Sequence, residues 1–345
     1  MARLYRFVVG PHEAHLRLDR YLVRHLPRTR SRAVVQRAIR AGTVTIEGRA
    51  VKAHRSLKTG ETILVQLDRL PQRSPDAMAI PEPIPLEVVY EDAQLMVVNK
   101  PPNLVTHPAK GHWSGTLVNA IAWHLQQGEG SRVKGEGVSL HPPPTTLHRP
   151  LARAGIVHRL DKDTSGALVV AKTEAALHAL AKQLKARTMS RRYLALVEGQ
   201  VEFDEGTINA SLGRHLKDRT LVAIRYLGGR EAVTHYRVLK RFGTREAPSL
   251  PFAYTLLELR LETGRTHQIR VHLSSLRHPV LGDVVYGRHP RSYWNALGIP
   301  RQLLHAYAIR FVHPMTQQPL EVTVDVPADM RRWLDGFELD LLGEI

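Results

Sequence analysis

The segment Gly155–Ala171, GIVHRLDKDTSGALVVA, decides how this chain is read. Its second half, Ala167–Ala171, is a continuous apolar run of strand length, the pattern of a strand buried on both faces. Its first half crowds His158, Arg159, Asp161, Asp163, Thr164 and Ser165 into a turn that leads straight into that strand. Polar side chains held at the end of a rigid core element are a common form of active site. Taken alone, the residue types leave several readings open. An EF-hand loop starting at Asp161 fits Asp163, Ser165 and Gly166, but Lys172 stands where the bidentate Glu is required, so calcium is excluded. Ser165 lacks the G-x-S-x-G frame of a nucleophile elbow. Neither a P-loop nor H-E-x-x-H occurs. An Asp-rich turn closed by its own side-chain hydrogen bonds accounts for the same residues.

A second polar segment, Leu261–Leu273 (LETGRTHQIRVHL), joins a glycine turn to Arg265, His267, Arg270 and His272. The two histidines are five apart, off the spacing of one helical face, and nothing beside them completes a zinc site, so no metal is expected. Around these segments the periodicity predicts strands at Leu95–Asn99, Tyr193–Val197, Ala232–Val238 and Tyr254–Leu261. Helices are expected at Thr116–Leu125 and Thr173–Leu184, the latter capped by Thr173 with Leu177, Leu180, Ala181 and Leu184 as its apolar stripe. Residues 126–153, rich in Gly, Pro and His, read as a long loop.

The first 70 residues read as a separate unit. Leu18, Tyr21, Leu22 and Leu26 recur at helical spacing. A second helix is expected from Ser31, as N-cap, to Ile39, with Gly42 in the C′ position. Short strands follow at Thr43–Ile46, Arg49–Val51 and Thr62–Leu67. Arg28, Arg30, Arg32, Arg37 and Arg40 cluster here, and no acidic residue occurs between Arg20 and Glu47. A surface with one sign of charge suits a phosphate-bearing partner better than it suits itself. Residues 71–85 carry five prolines and read as a linker. Residues 86–330 then form a larger domain, with 331–345 as a tail.

The chain has 345 residues, with 49 Lys+Arg against 32 Asp+Glu, a formal net charge of +17, and no cysteine. Hydrophobic content of 43% fits a globular protein of about two domains. Without cysteine there is no disulfide framework, thiolate zinc site or cysteine nucleophile. No apolar run is long enough for a spanning helix or signal peptide, so a soluble cytoplasmic protein without membrane partners is expected.

Three segments together resemble the RluA-type pseudouridine synthases. His158-Arg159-Leu160-Asp161-Lys162-Asp163-Thr164-Ser165-Gly166 is similar to their catalytic motif, Arg192-Tyr193-Leu194-Ala195-Leu196-Val197 to their tyrosine segment, and Gly264–His272 to their later arginine motif. Arg17-Leu18-Asp19, Ser31-Arg32, Gly42-Thr43-Val44 and Gly60-Glu61 resemble an S4-type RNA-binding domain, although Glu47-Gly48 stands where Asn-Gly is usual. Asn99-Lys100-Pro101-Pro102, His107-Pro108, Gly115–Ala120 and Ala232–Tyr236 fit the branch that modifies large-subunit ribosomal RNA. The loop before Gly155 is longer than that family usually shows.

The resemblance implies an α+β fold: a small N-terminal domain of two helices and short strands, then a synthase domain on a long, mostly antiparallel mixed β-sheet flanked by helices and loops. It implies Asp161 as the essential carboxylate, acting covalently or by proton abstraction, with Arg270 as its salt-bridge partner and Tyr193 stacked on the flipped uracil. Arg159 would fill the vacated space, Ile269 would wall the ring, and His158 and Thr164 would contact substrate, while Asp163 orders the turn. Arg17, Arg28, Arg30, Ser31, Arg32, Arg37 and Arg40 would face RNA. The implied partner is large-subunit rRNA or a pre-ribosomal particle, met by a monomer without cofactor. Three alternatives stand beside it. A synthase acting on tRNA would keep every motif. A noncatalytic RNA-binding or ribosome-assembly factor would have lost Asp161 or Arg270, and both are present. A nucleosidase would want two separated carboxyl groups and an activated water, whereas Asp161 and Asp163 lie two apart in one turn.

Overall fold

The computed structural model describes residues 4–26, 32–66, 80–107, 114–127, 155–243, 250–334 and 337. The chain divides into two compact units, Met1–Ala77 and Met78–Ile345.

In the first unit, β1 (Leu4–Val8) is followed by α1 (Leu18–His25), α2 (Arg32–Arg40), β2 (Val44–Ile46), β3 (Arg49–Ala50) and β4 (Thr62–Gln66). The strands form one sheet in the order β1-β4-β2-β3. Leu18, Tyr21 and Leu22 of α1, with Val35, Ala38 and Ile39 of α2, close over Ile63 and Val65. Gly42 has φ +72° and ends α2, as its position predicts. The strand β1 escapes the sequence pattern because its exposed positions Leu4 and Val8 are as apolar as its inward Tyr5 and Phe7. Glu47 and Gly48 both take positive φ, the geometry of a tight hairpin turn, and the Glu47 carboxylate accepts a hydrogen bond from Thr62 N at 2.6 Å. Arg17 changes character. Its guanidinium forks onto the fully buried Asp19 at 3.0 and 3.1 Å, so its charge is largely spent inside the unit. Arg32 and Arg37 lie on α2 and Arg40 is exposed at its end. Arg28, Arg30 and Ser31 lie outside the described residues.

The second unit runs β5 (Glu87–Glu91), β6 (Leu95–Lys100), α3 (Leu117–Gln127), β7 (Ser165–Ala171), α4 (Glu174–Ala186) and β8 (Ser190–Glu198). It continues with β9 (Glu205–Asn209), β10 (Leu212–Arg214), β11 (Val222–Ile224), β12 (Val233–Phe242) and β13 (Tyr254–Leu261). Last come α5 (Gln268–Ser275), α6 (Arg291–Ala296), β14 (Leu304–Val312), β15 (Pro319–Thr323) and α7 (Ala328–Arg331). Nine strands make one mixed sheet in the order β5-β6-β7-β14-β8-β13-β12-β9, with β15 paired to β14. Only β7 and β14 pair in parallel; the other pairs described are antiparallel.

The sheet is covered on both faces, which is why its central strands read as unbroken apolar runs. Met96, Val98, Leu168, Val170, Ala195 and Val197 face α3 and α5 in one cluster. Leu95, Val97, Ala167 and Val169 face α4 in another, while Leu194 and Leu196 join Trp294 and Tyr307. Thr173 caps α4 by accepting from Ala176 N. Two expected boundaries move. Residues 80–84 are held rather than free, because Asn119 Nδ2 donates to Ile80 O and Gly115 N to Glu82 Oε2. The tail also begins later than residue 331, since Trp333 and Leu334 are buried and Tyr254 Oη donates to Trp333 O at 2.9 Å. Residues 128–153 of the expected loop lie outside the described residues, and 126–127 belong to α3. No helix among the described residues is long and apolar enough to cross a membrane.

Gly166 marks the tightest point of this architecture. It has φ +119°, and a Cβ there would lie 2.2 Å from Ala306 O on β14. Both the backbone angle and the close approach require glycine. Gly166→Ala is expected to destabilise the protein by about 3 kcal/mol or more, as strain and overpacking add. Thermal unfolding checks this; a melting temperature equal to that of the unaltered chain would mean the parallel pair has room to spare.

Candidate active site

The turn that carries Asp161 is fixed through its backbone. Thr106 Oγ1 donates to Leu160 O at 2.7 Å, Lys100 Nζ to Lys162 O at 3.0 Å, and Arg301 Nη1 to Asp163 O at 3.0 Å. Donors from three other segments therefore clamp the carbonyls flanking Asp161, and Thr164 N closes the turn onto Asp161 O. Lys100 is wholly buried and also donates to Pro101 O and Leu104 O. Burial, with the charge of Arg301 beside it, pushes its ammonium down to about 7.

From that turn the Asp161 carboxylate meets α5. Arg270 Nη1 lies 3.2 Å from Asp161 Oδ2, with the two side chains 6% and 15% exposed. The same guanidinium makes a shorter fork on Asp283, Nε to Oδ2 at 2.6 Å and Nη2 to Oδ1 at 2.8 Å. Asp283 is fully buried and accepts further bonds from Val285 N and Tyr286 N. Burial opposes its charge, but the Arg270 fork and the two backbone donors outweigh that and hold its carboxyl below the ordinary aspartate value. Burial likewise works against the Arg270 cation, and its two carboxylates more than offset it. The Tyr286 ring lies 5.0 Å from the guanidinium carbon, which fixes the group in a third direction.

His267 completes this cluster. It caps α5 in the left-handed region, φ +56°, with Nε2 3.9 Å from Asp161 Oδ1 and Nδ1 2.6 Å from Tyr286 Oη. Tyr286 Oη already accepts from Val222 N. Tyr286 Oη thus ties the His267 ring to the backbone of β11. Burial lowers the His267 pKa, keeping the ring neutral near neutrality.

Tyr193, on β8, is buried in the same cluster as Ile269 and Leu160, and its hydroxyl pKa is raised, first by burial and also by Asp161. Arg159 is exposed, and its charge reaches His267. The structure thus brings Asp161, Arg270, Tyr193 and Ile269 into one place. His158 and Thr164 turn elsewhere. His158 Nε2 accepts the Val169 backbone N–H, and burial pushes the ring down to about 3, a neutral strut under β7. Thr164 is buried with its hydroxyl inside the turn. His158 Nδ1 and Thr164 Oγ1 are buried without a hydrogen-bond partner among the described residues. Among the described residues no cluster of three or more metal-ligating side chains occurs.

Residues 94–275 match the family model described as RNA pseudouridylate synthase. The chain belongs to the RNA pseudouridylate synthase family. It is similar to the ribosomal large subunit pseudouridine synthase D of Xanthomonas campestris pv. campestris, 39% identical over 98% of this chain and 93% of that protein. It is also similar to the protein of the same name from Nitrosomonas europaea, 42% identical over 94% of this chain and 85% of that one. Among solved structures, Human RNA Pseudouridylate Synthase Domain Containing 1 aligns with a TM-score of 0.50 and 27% identity over 70% of this chain and 83% of that one. The RluA-type reading of the three motifs stands with these relatives.

Sequence reasoning missed Asp283 and Tyr286 in this synthase. Their signal was Leu281-Gly282-Asp283 followed by Tyr286-Gly287, a polar turn between apolar residues. At Gly282, φ is +82° and a Cβ would sit 1.9 Å from Arg301 O, so the glycine brings Asp283 under the arginine. Asp283→Asn should cost about 3–5 kcal/mol, because it removes half of a buried pair. The sign with pH follows from the lowered Asp283 pKa. The stabilisation is fully present above the unfolded aspartate value of about 3.9 and is lost as pH falls through the lower folded value. Urea unfolding of both proteins should therefore show a constant gap near neutrality that narrows only in acid; a gap that closes between pH 7 and 5 would contradict the pair's role.

Proposed function

We propose that this synthase isomerises specific uridines of large-subunit (23S) ribosomal RNA to pseudouridine, with Asp161 as the essential carboxylate. The observation that carries this reading is an ionisable carboxylate held at 15% exposure by a guanidinium that is itself locked by a second carboxylate. The names of the relatives from Xanthomonas and Nitrosomonas support the ribosomal substrate, and the net charge of +17 suits a polyanion.

The reaction breaks the uridine N1–C1′ bond, turns the uracil over and rejoins it through C5. Composition is unchanged, so neither redox partner nor nucleotide is consumed. The base must first leave its stack, at a cost of a few kcal/mol. Stacking on Tyr193 returns about 1–3 kcal/mol. Arg159, exposed on the same turn as Asp161, fills the space the base vacates, and Ile269 supplies an apolar wall. Arg270 gives the Asp161 carboxylate a fixed counter-charge and aims Oδ2, leaving Oδ1 toward His267 and the substrate. The same site would serve a tRNA uridine equally well, and pseudouridine mapping in both RNA classes separates the two.

The first unit is proposed as an S4-type RNA-binding domain whose arginines meet phosphates, in a chain that works as a monomer without cofactor in the cytoplasm. The N–H donors and charge of Arg17 being committed to Asp19, the exposed Arg20, Arg24 and Arg40 are its best described candidates.

Asp161→Asn should abolish pseudouridine formation in ribosomal RNA while RNA binding persists, read by site mapping and by a binding titration; undiminished turnover would end the assignment. Replacing Arg20, Arg24 and Arg40 together by Gln should weaken RNA binding and flatten its dependence on log salt by roughly 1 for each arginine that meets a phosphate. An unchanged slope would remove this face from the RNA interface.

A further inference from the structure

Among the described residues of the synthase unit, Lys100 and Arg191 are buried cations without a carboxylate partner; Lys100 is satisfied by three carbonyls, and Arg191 is not. Arg191, on β8, is 7% exposed. Its Nη2 reaches only Leu261 O, at 3.5 Å, and its Nε is buried with no hydrogen-bond partner. Among the described residues it has no carboxylate partner. Its neighbour Arg192, on the other face of the strand, is paired with Glu258 and Glu321 and lies over the Tyr307 ring. The contrast falls along a single strand, so the shortage belongs to one face of it.

That face is the active-site face. Residues 191 and 193 alternate on β8 and share a side, and both are buried. The charge of Arg191 is felt by Tyr193 and by His158. The chain also makes room for the guanidinium: a Cβ at Gly264 would lie 2.6 Å from Arg191 Nη1. Gly264 opens the turn that leads to His267 and Arg270. A buried cation left unpaired is costly, and a fixed one costs nothing further when an opposite charge appears beside it.

The chemistry supplies that charge. Two routes are open to Asp161, and both move one negative charge from its carboxylate to the uracil. If Asp161 adds to C1′, a C1′–O bond forms as N1–C1′ breaks. If it removes the C2′ proton, a C1′–C2′ double bond forms as N1–C1′ breaks. Either way the N1–C1′ electron pair stays on the ring and spreads over O2 and O4. When C5 bonds to C1′, the C5 hydrogen leaves as a proton, N1 takes one up, and Asp161 is restored. The ring is thus an anion between detachment and rejoining. Arg270 cannot serve it, being committed to Asp161 and Asp283, a cluster of formal charge −1.

We propose that Arg191 is the counter-charge of the detached uracil, its guanidinium fixed beside Tyr193 where the ring becomes an anion. The inference rests on the reading of the site as a uridine isomerase and assigns a residue to its charge-separating step. A phosphodiester flanking the target uridine is the other oxygen anion the same guanidinium would bind, and the test separates the two.

The test measures single-turnover loss of the N-linked nucleoside in a ribosomal RNA fragment carrying either uridine or 5-fluorouridine at the target position. Fluorine withdraws electrons, so the detached ring is a weaker base and needs its counter-charge less. Arg191→Met should slow the uridine substrate by about 10²-fold, slow the fluorinated one severalfold less, and leave RNA affinity and its salt slope close to those of the unaltered chain. Arg191→Lys, which keeps a cation, should stay near the unaltered ratio between the two substrates. Because the ratio is taken on one sample, a partly unfolded variant does not distort it. An equal defect on both substrates, a rate matching the unaltered chain, or a Lys variant behaving like Met would overturn the proposal. Loss of affinity with a flatter salt slope and an unchanged ratio would assign Arg191 to a phosphate instead. If the unaltered chain leaves uridine intact in the RNA, the isomerase reading itself fails, which is a different result.

Discussion

A single guanidinium organises this molecule's chemistry. Arg270 is bound twice by Asp283 and once by Asp161, and the asymmetry matters. The buried fork on Asp283 is short and double, and it sets where the cation sits. The contact to Asp161 is longer and single, so Asp161 is steadied without being consumed. Were Asp161 to hold the fork, its oxygens would both be engaged and the carboxylate would be a structural ion. Asp283 takes the fork in place of Asp161, and it can do so because it is itself sealed from water and tied to two backbone N–H groups.

The sheet explains how parts so distant in the chain reach one point. Asp161 ends a turn before β7, Tyr193 is on β8, Arg270 is on α5, and Asp283 follows it in the turn after α5. The strand β14 lies between β7 and β8 and pairs in parallel with the former and antiparallel with the latter. Its Arg301-containing approach supplies one of the donors that hold the Asp161 turn, and Gly166 and Gly282 permit the close backbone contacts on either side. Rigidity is therefore invested in the backbone around Asp161, while the reactive oxygen is left with one ionic contact and a neutral imidazole facing it.

Much of this was legible in the sequence because it is written locally. The apolar runs of β6, β7 and β8, the Thr173 cap and the Gly42 terminus each report a nearby cause. The three motifs carry Asp161, Tyr193 and Arg270 in short, self-contained stretches of sequence. What the sequence hid was pairing at a distance. Lys100 looks like a surface lysine next to prolines, yet it is buried and bonded only to carbonyls. Asp283 looks like an ordinary turn residue, and β14 carries His305 and Tyr307 in a pattern that does not read as a central strand. His158 sits inside the most polar motif of the chain, and its bond to the backbone of β7 is not written in the residue types around it.

The distribution of charge in the site then has a consequence for how the reaction is divided. Asp161, Asp283 and Arg270 together carry a formal −1, and Arg191 is a further buried cation on the strand that carries Tyr193. In the resting enzyme the negative charge sits on the Arg270 side of the pocket. In the proposed reaction it moves to the ring once the glycosidic bond is broken, nearer β8 by the stacking proposed for Tyr193. The pocket as a whole keeps the same net charge throughout, so no counter-ion or proton has to enter from solvent for the bond to break. A buried site poorly hydrated from the start can run such a reaction only if both ends of the transfer are already provided with cations. The turn at Gly264 links those ends: it yields space to the Arg191 guanidinium and, four residues later, the helix that carries Arg270 begins. A side chain at that glycine would press on the Arg191 guanidinium, so the turn helps set where that cation sits.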